Sequence, residues 1–176
     1  MRLKLLLALL FTINTTLFAL TQEQIKTLQI IRDVAKAIPN KRGETFEDTL
    51  SAICLTESAA GTEIFGDFNE DAPITKASFG IMQIQVATAR FMASTYSELS
   101  FINNMSELKL ANKLLGDVKF SATIAAYYMK WLSDYRKTYY NAVSGYNGGL
   151  VNPNYCEKVD KNKTVVYSLV RAGVLK

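Results

Sequence analysis

Apolar residues recur at helical spacing along most of the chain. Behind the capping-box pattern of Thr21 and Gln24, residues Ile25, Leu28, Ile31, Val34 and Ile38 fall on one face of a helix. Pro39, Asn40 and Gly43 then break the pattern. A second helix is predicted over about 45–58, with Phe46, Leu50, Ile53, Cys54 and Glu57 on one face and Gly61 at its end. Helical patterns return over about 83–96, 105–115 and 117–136, briefly over 139–144, and finally over about 154–170. From 61 to 78 no period is sustained, and Gly66, Asn69, Asp71 and Pro73 are turn formers. A connection of that length inside a compact domain is expected to be functional or to hold short irregular strands. The expected fold is therefore mostly α, a single domain over 21–176 with one irregular loop or short-strand region.

Composition narrows the class. A chain of 176 residues with 49% hydrophobic content can build one domain around one core. The first twenty residues differ from the rest: Arg2 and Lys4 precede an almost unbroken apolar run from Leu5 to Leu20. That is the pattern of a secretion signal or, if uncleaved, of an N-terminal membrane anchor, so the remainder is expected outside the cytoplasm, in the periplasm. Without Arg2 and Lys4 the balance of 20 basic and 16 acidic residues becomes 18 against 16. Lys158, Lys161 and Lys163 are too few for a basic stripe, so no nucleic-acid partner is expected. Histidine is absent. Ser-His-Asp and Cys-His mechanisms and the common zinc sites fall with it, and neither metal nor cofactor is expected. Proton chemistry is left to carboxylates, tyrosines and lysines.

Among these, Glu57 is distinguished by position. It shares an apolar helix face with Leu50, Ile53 and Cys54, and it lies in the last turn, at the negative end of the helix dipole. Desolvation and dipole both disfavour a carboxylate, so a raised pKa is expected, as a glycosidic acid requires. A side chain reaching solvent at a helix end fits the position equally well. Two further segments carry suitable groups. Ser78-Phe79-Gly80-Ile81-Met82-Gln83-Ile84 offers a glycine for close backbone approach and a glutamine amide for a sugar, although a helix start with core isoleucines also explains it. Gly145-Tyr146-Asn147-Gly148-Gly149 presents a phenol and an amide at a tight turn, or is a plain helix C-cap.

Taken together, Glu-Ser at a helix end, Gly-x-Met-Gln-Ile, then Tyr-Asn-x-Gly resemble the soluble lytic transglycosylase domain, which is similar to goose-type lysozyme. The resemblance covers about 46–159. It implies a lysozyme-like fold with a saccharide cleft and peptidoglycan glycan strands as substrate. It further implies that Glu57 cleaves the bond between N-acetylmuramic acid and N-acetylglucosamine and closes a 1,6-anhydro ring, with the substrate's acetamido group replacing a second carboxylate. Ser58 and Gln83 would position the substrate, Met82 would line the cleft, and Tyr146 and Asn147 would orient Glu57 and the muramoyl sugar. The chain departs from the family pattern at Ala59-Ala60-Gly61, where a longer insert through Lys76 begins, and at Gly145, where alanine is usual.

Asp67, Glu70 and Asp71 in that insert leave open a hydrolysing muramidase with a second acid, and a non-catalytic wall-binding factor of secretion or other envelope machinery is a further alternative. Cys54 and Cys156 form a matched pair in a chain expected to be exported, which favours a disulfide joining the last helix to the Glu57 helix. The alternative is a buried thiol at Cys54 and an exposed one at Cys156. Tyr127, Tyr128, Trp131, Tyr135, Tyr139 and Tyr140 are expected to be mostly core, with one or two lining a sugar-stacking cleft.

Overall fold

The Thr21–Gln24 pattern forms a complete capping box: the Thr21 amide donates to Gln24 Oε1 at 2.8 Å, and the Gln24 amide donates to Thr21 Oγ1 at 3.2 Å. It opens α1 (Gln22–Lys36), the first element of a computed structural model that describes residues 20–64 and 76–176. The apolar leader up to residue 19 and the insert acids Asp67, Glu70 and Asp71 lie outside the described residues.

Helix α2 (Glu47–Ser58) carries Glu47 and Asp48 in its first turn, where acidic side chains complement the dipole. It ends in three successive residues of positive φ, Ala59 (47°), Ala60 (57°) and Gly61 (104°). The Ala59 and Ala60 amides donate to the carbonyls of Leu55 and Cys54, so orphan groups of the last turn are satisfied by the reversal.

The chain then makes a short antiparallel hairpin of β1 (Ser78–Phe79) and β2 (Ile84–Gln85), pairing Ser78 with Gln85 and Phe79 with Ile84. Helix α3 (Val86–Thr95) follows at once. The helix predicted from Gln83 thus starts three residues later, because Gly80 (φ 71°) and Gln83 (φ 48°) turn the segment back on itself. A 3₁₀ helix over Ser97–Asn104, which the periodicity does not predict, buries Leu99 and Ile102. That i, i+3 pair is all a three-residue period needs, and it is too short to register as an α-helical stripe.

Helices α4 (Glu107–Gly116), α5 (Val118–Tyr135), α6 (Tyr139–Tyr146) and α7 (Pro153–Arg171) are each opened by a side-chain cap, from Ser106, Asp117, Thr138 and Asn152. Helix α2 lies between α1 and α7, while α5 packs on α1, α4 and α6. Leu50 and Ile53 of α2, Met82 and Ile84 of the hairpin, and Ile124 and Met129 of α5 are all fully buried. The hairpin is therefore anchored in the same core as the helices. Among the described residues, no helix is long and apolar enough to cross a membrane.

Candidate active site

The last turn of α2 brings Glu57 to a cleft of about 310 Å³. The hairpin contributes Ser78, Gln83 and Gln85, α3 contributes Thr88, α5 contributes Tyr128, and the end of α6 contributes Tyr146, Asn147 and Gly148. Glu57 is the sole carboxylate among the described residues of this lining. Burial holds its carboxyl above the usual range, against the opposing pull of a hydrogen bond from Tyr155 and the charge of Lys158. The Tyr155 hydroxyl donates to Glu57 Oε1 at 2.6 Å. Burial and the nearby carboxyl push the Tyr155 phenol far upward, so it stays a proton-bearing donor.

A larger cavity of about 660 Å³ lies at the opposite end of α2, among Arg42, Phe46, Tyr139 and Lys163. Its size does not make it the reactive site. Glu44 and Asp48 there are paired with Arg42 and Arg32, and none of the three sequence motifs reaches it.

The structure separates the predicted site residues into two groups. Gln83, Tyr146 and Asn147 line the cleft beside Glu57. The Gln83 amide nitrogen donates to Gly80 O at 2.8 Å and to Ile64 O at 3.2 Å, which leaves the side-chain carbonyl as the group it can offer. Asn147 Oδ1 accepts from Asn152 Nδ2 at 2.8 Å, leaving the Asn147 NH₂ for the cleft.

Ser58 and Met82, expected to touch substrate, are fully buried. Ser58 Oγ donates to Ile81 O at 2.8 Å and accepts from the Gly61 amide at 3.0 Å. It clamps the hairpin to the end of α2. The Met82 side chain packs in the core because the 80–83 turn folds Ile81 and Met82 inward, and its carbonyl accepts from the Tyr146 hydroxyl at 2.9 Å. Tyr146 thus lines the cleft while its hydroxyl fixes the hairpin, and the phenol hydrogen-bonded to Glu57 is that of Tyr155.

Tyr155 escaped the reading of the sequence. A signal was present in Asn152-Pro153, an N-cap followed by a first-turn proline, which places Tyr155 in the opening turn of α7. Asn152 Oδ1 accepts from the Tyr155 amide at 3.1 Å while Asn152 Nδ2 reaches Asn147. One side chain thus joins the Tyr-Asn turn to the helix start that holds the acid.

Gly145 has a steric reason. A Cβ there would lie 2.7 Å from Leu132 Cδ2 and 3.4 Å from Arg136 Nε, so α6 approaches α5 too closely for the usual alanine.

The expected disulfide is not present: Cys54 and Cys156 are both free and buried. Cys54 Sγ faces Ser58 Oγ at 3.8 Å, and burial pushes its thiol up to about 12. Cys156 Sγ donates instead to Tyr140 O at 3.6 Å. The expected link between α2 and α7 is real but is made by other groups, Tyr155 to Glu57 and Asn162 Nδ2 to Thr56 Oγ1 at 2.9 Å.

Neither the curated proteins nor the solved structures yield a match to this chain. Comparison with protein families matches residues 35–165 to the Transglycosylase SLT domain, a span that takes in Glu57, the hairpin, the Tyr-Asn turn and Tyr155. With that span covering most of the chain, the protein belongs to the SLT transglycosylase domain family, whose activity is of the lytic transglycosylase type on peptidoglycan.

Proposed function

We propose that this protein is an exported, periplasmic lytic transglycosylase that cleaves the bond between N-acetylmuramic acid and N-acetylglucosamine, with Glu57 as its acid and base. Support comes above all from Glu57: a desolvated carboxyl with a raised pKa, alone of its kind in the described lining, held by one buried phenol. The export assignment rests on the apolar leader after Arg2 and Lys4.

Protonated Glu57 gives its proton to the glycosidic oxygen as that bond breaks, and the N-acetylglucosamine leaves as an alcohol. The positive charge developing at the muramoyl C1 is met by the substrate's own acetamido oxygen, since no second carboxylate stands opposite in the described lining. Glu57, now a carboxylate, takes the proton of the muramoyl 6-hydroxyl. Its oxygen bonds to C1, the acetamido oxygen is released, and the 1,6-anhydro ring closes without consuming water. The Tyr155 bond stabilises the carboxylate between the two proton transfers, while burial favours the acid before the first. In this reading the Gln83 carbonyl accepts from the acetamido N–H and the Asn147 amide donates to a sugar oxygen, supported by the internal hydrogen bonds that leave those two groups unused.

Mass spectrometry of purified sacculi digested by wild-type protein and by Glu57→Gln tests the assignment. The wild type should release products lighter by one water than hydrolysis products, and the variant should lose activity by ~10²–10⁴-fold. Products carrying the added water would replace this mechanism with that of a muramidase drawing an acid from the 61–76 insert. Undiminished release by Glu57→Gln would remove Glu57 from the chemistry.

A further inference from the structure

The cavity of about 660 Å³, larger than the Glu57 cleft of about 310 Å³, takes no part in the chemistry proposed above. It opens between the start of α2, the end of α5, the start of α6 and the second half of α7, with Phe46, Tyr139 and Tyr167 as aromatic walls. Its charges do not cancel within the chain. Glu44 is paired with Arg42 at 2.7 Å and Asp48 with Arg32 at 2.6 Å. Glu47, which also lines the cavity, forms no salt bridge among the described residues, and its Oε2 is shut from water with no hydrogen-bond partner. Lys137 and Lys163 likewise pair with no carboxylate there. A desolvated carboxylate without a partner needs a reason, and a missing ligand is one.

Lys163 is a cation already held in place. Its Nζ donates to Tyr139 Oη at 2.9 Å, and that oxygen is shared with Thr49 Oγ1, also at 2.9 Å. The ammonium lies 4.4 Å from the Tyr139 ring centre and 5.8 Å from that of Tyr167. A long side chain thus loses its freedom before any ligand arrives, while an ammonium with three donors keeps some for an anion. A tether between α6 and α7 would explain the contact of Lys163 with Tyr139. It would explain neither the open volume beside them nor the unpaired Glu47. Together the groups call for a flexible ligand that carries a carboxylate for Lys163 and an ammonium for Glu47. A peptide with free charged ends has that chemistry, and the stem peptides of peptidoglycan, the substrate of the family, bear such groups.

We propose that this cavity is a second wall-binding site, which takes the charged end of a stem peptide between Lys163 and Glu47 and holds the protein on the wall independently of the cleft. The inference rests on peptidoglycan being the substrate and not on the part given to Glu57. From Glu47 to Glu57 helix α2 rises about 15 Å, so both sites can be filled at once.

The test is calorimetric titration of the wild-type protein with the stem tetrapeptide cut from its sugar. The same peptide is titrated with its amines acetylated and, separately, with its carboxylates amidated. The free peptide should bind with saturation, and each modified form should bind roughly tenfold more weakly. Lys163→Gln and Glu47→Gln, each checked for folding by thermal unfolding, should each weaken the free peptide by roughly five- to tenfold. Glu57→Gln should bind it as the wild type does. The two modified peptides keep the test decisive on intact protein if either cavity variant fails to fold. No saturable heat at millimolar peptide, or wild-type affinity in both cavity variants, overturns the site. So does loss of binding in Glu57→Gln or competition by the muropeptide disaccharide, either of which would put the peptide in the cleft. Peptide binding by a wild-type protein that releases no anhydromuropeptides would instead sustain this site and defeat the function proposed above.

Discussion

Glu57 sits between opposing influences, and Tyr155 is the one a single atom can remove. Burial raises the Glu57 carboxyl, while the Tyr155 hydroxyl at 2.6 Å lowers it. In Tyr155→Phe the carboxylate loses its donor, so the pKa rises further. The acid form is needed for the first proton transfer and is lost as pH rises through that pKa. The alkaline limb of the kcat/KM profile should therefore move to higher pH in Tyr155→Phe, with kcat near neutrality lower by about tenfold. A pH–rate profile on glycan strands decides it, and a limb that stays in place would show that Tyr155 acts only as packing. The two residues differ in how far the chain's own pattern reveals them. Glu57 is legible because helical period puts it on the apolar face beside Leu50, Ile53 and Cys54 and two later motifs follow it in the family's order. Tyr155 is not, because its part depends on how the first turn of α7 meets the last turn of α2, a contact across 98 positions. The matched cysteines pointed at the correct pair of helices and the wrong pair of atoms.

At the scale of elements, the hairpin decides which of its residues meet the cleft. Its strands have two residues each, too few for the alternation that announces a strand, and the apolar spacing of Ile84, Val86 and Ala89 runs on into α3. The pattern consequently reads as one helix, while the parts expected of Met82 and Ser58 come from the family resemblance and both side chains are buried. What makes the turn is Gly80. Its φ is 71°, and a Cβ there would lie 2.1 Å from the Leu114 carbonyl oxygen of α4, a backbone atom that cannot swing aside. Gly80→Ala should cost about 2–4 kcal/mol of stability, and it should lower activity even well below Tm because Gln83 moves with the turn. Gly145→Ala meets the tip of the Leu132 side chain, which can change rotamer, and should cost only ~1 kcal/mol. Thermal unfolding of the two variants gives the ordering. A milder effect at Gly80 than at Gly145 would contradict this account of the hairpin.

In the whole molecule, α1 acts as a brace along α2. Mostly helical architecture follows from the hydrophobic period, and α1 packs along α2 across a ten-residue connection. What the period does not reveal is that α1 grips α2 at both ends. Near the start of α1, Gln24 Nε2 donates to Ala59 O at 2.8 Å, just past the acid. Two turns on, buried Arg32 donates from Nη1 to Asp48 Oδ1 at 2.6 Å and from Nε to Lys176 O at 2.8 Å. Arg32 thereby joins α1, the opening turn of α2 and the C-terminal residues, where Leu175 is also buried. Asp48 is partly exposed, so water recovers some of what its carboxylate loses when the arginine is removed. The space emptied by the buried side chain has less relief, and Arg32→Ala should cost ~2–3 kcal/mol, or roughly 4–10 °C in Tm. The opposite grip should behave differently. Gln24→Ala removes one partly buried bond, so it should cost ~1 kcal/mol in stability. It nevertheless frees the left-handed segment that ends the Glu57 turn, and kcat should fall by several-fold. Arg32→Ala, acting at the far end of α2, should keep kcat within about twofold at temperatures where it is folded. Comparing Tm with kcat for the two variants separates the grips, and equal losses of both in each would mean that α1 supports α2 as one undivided contact.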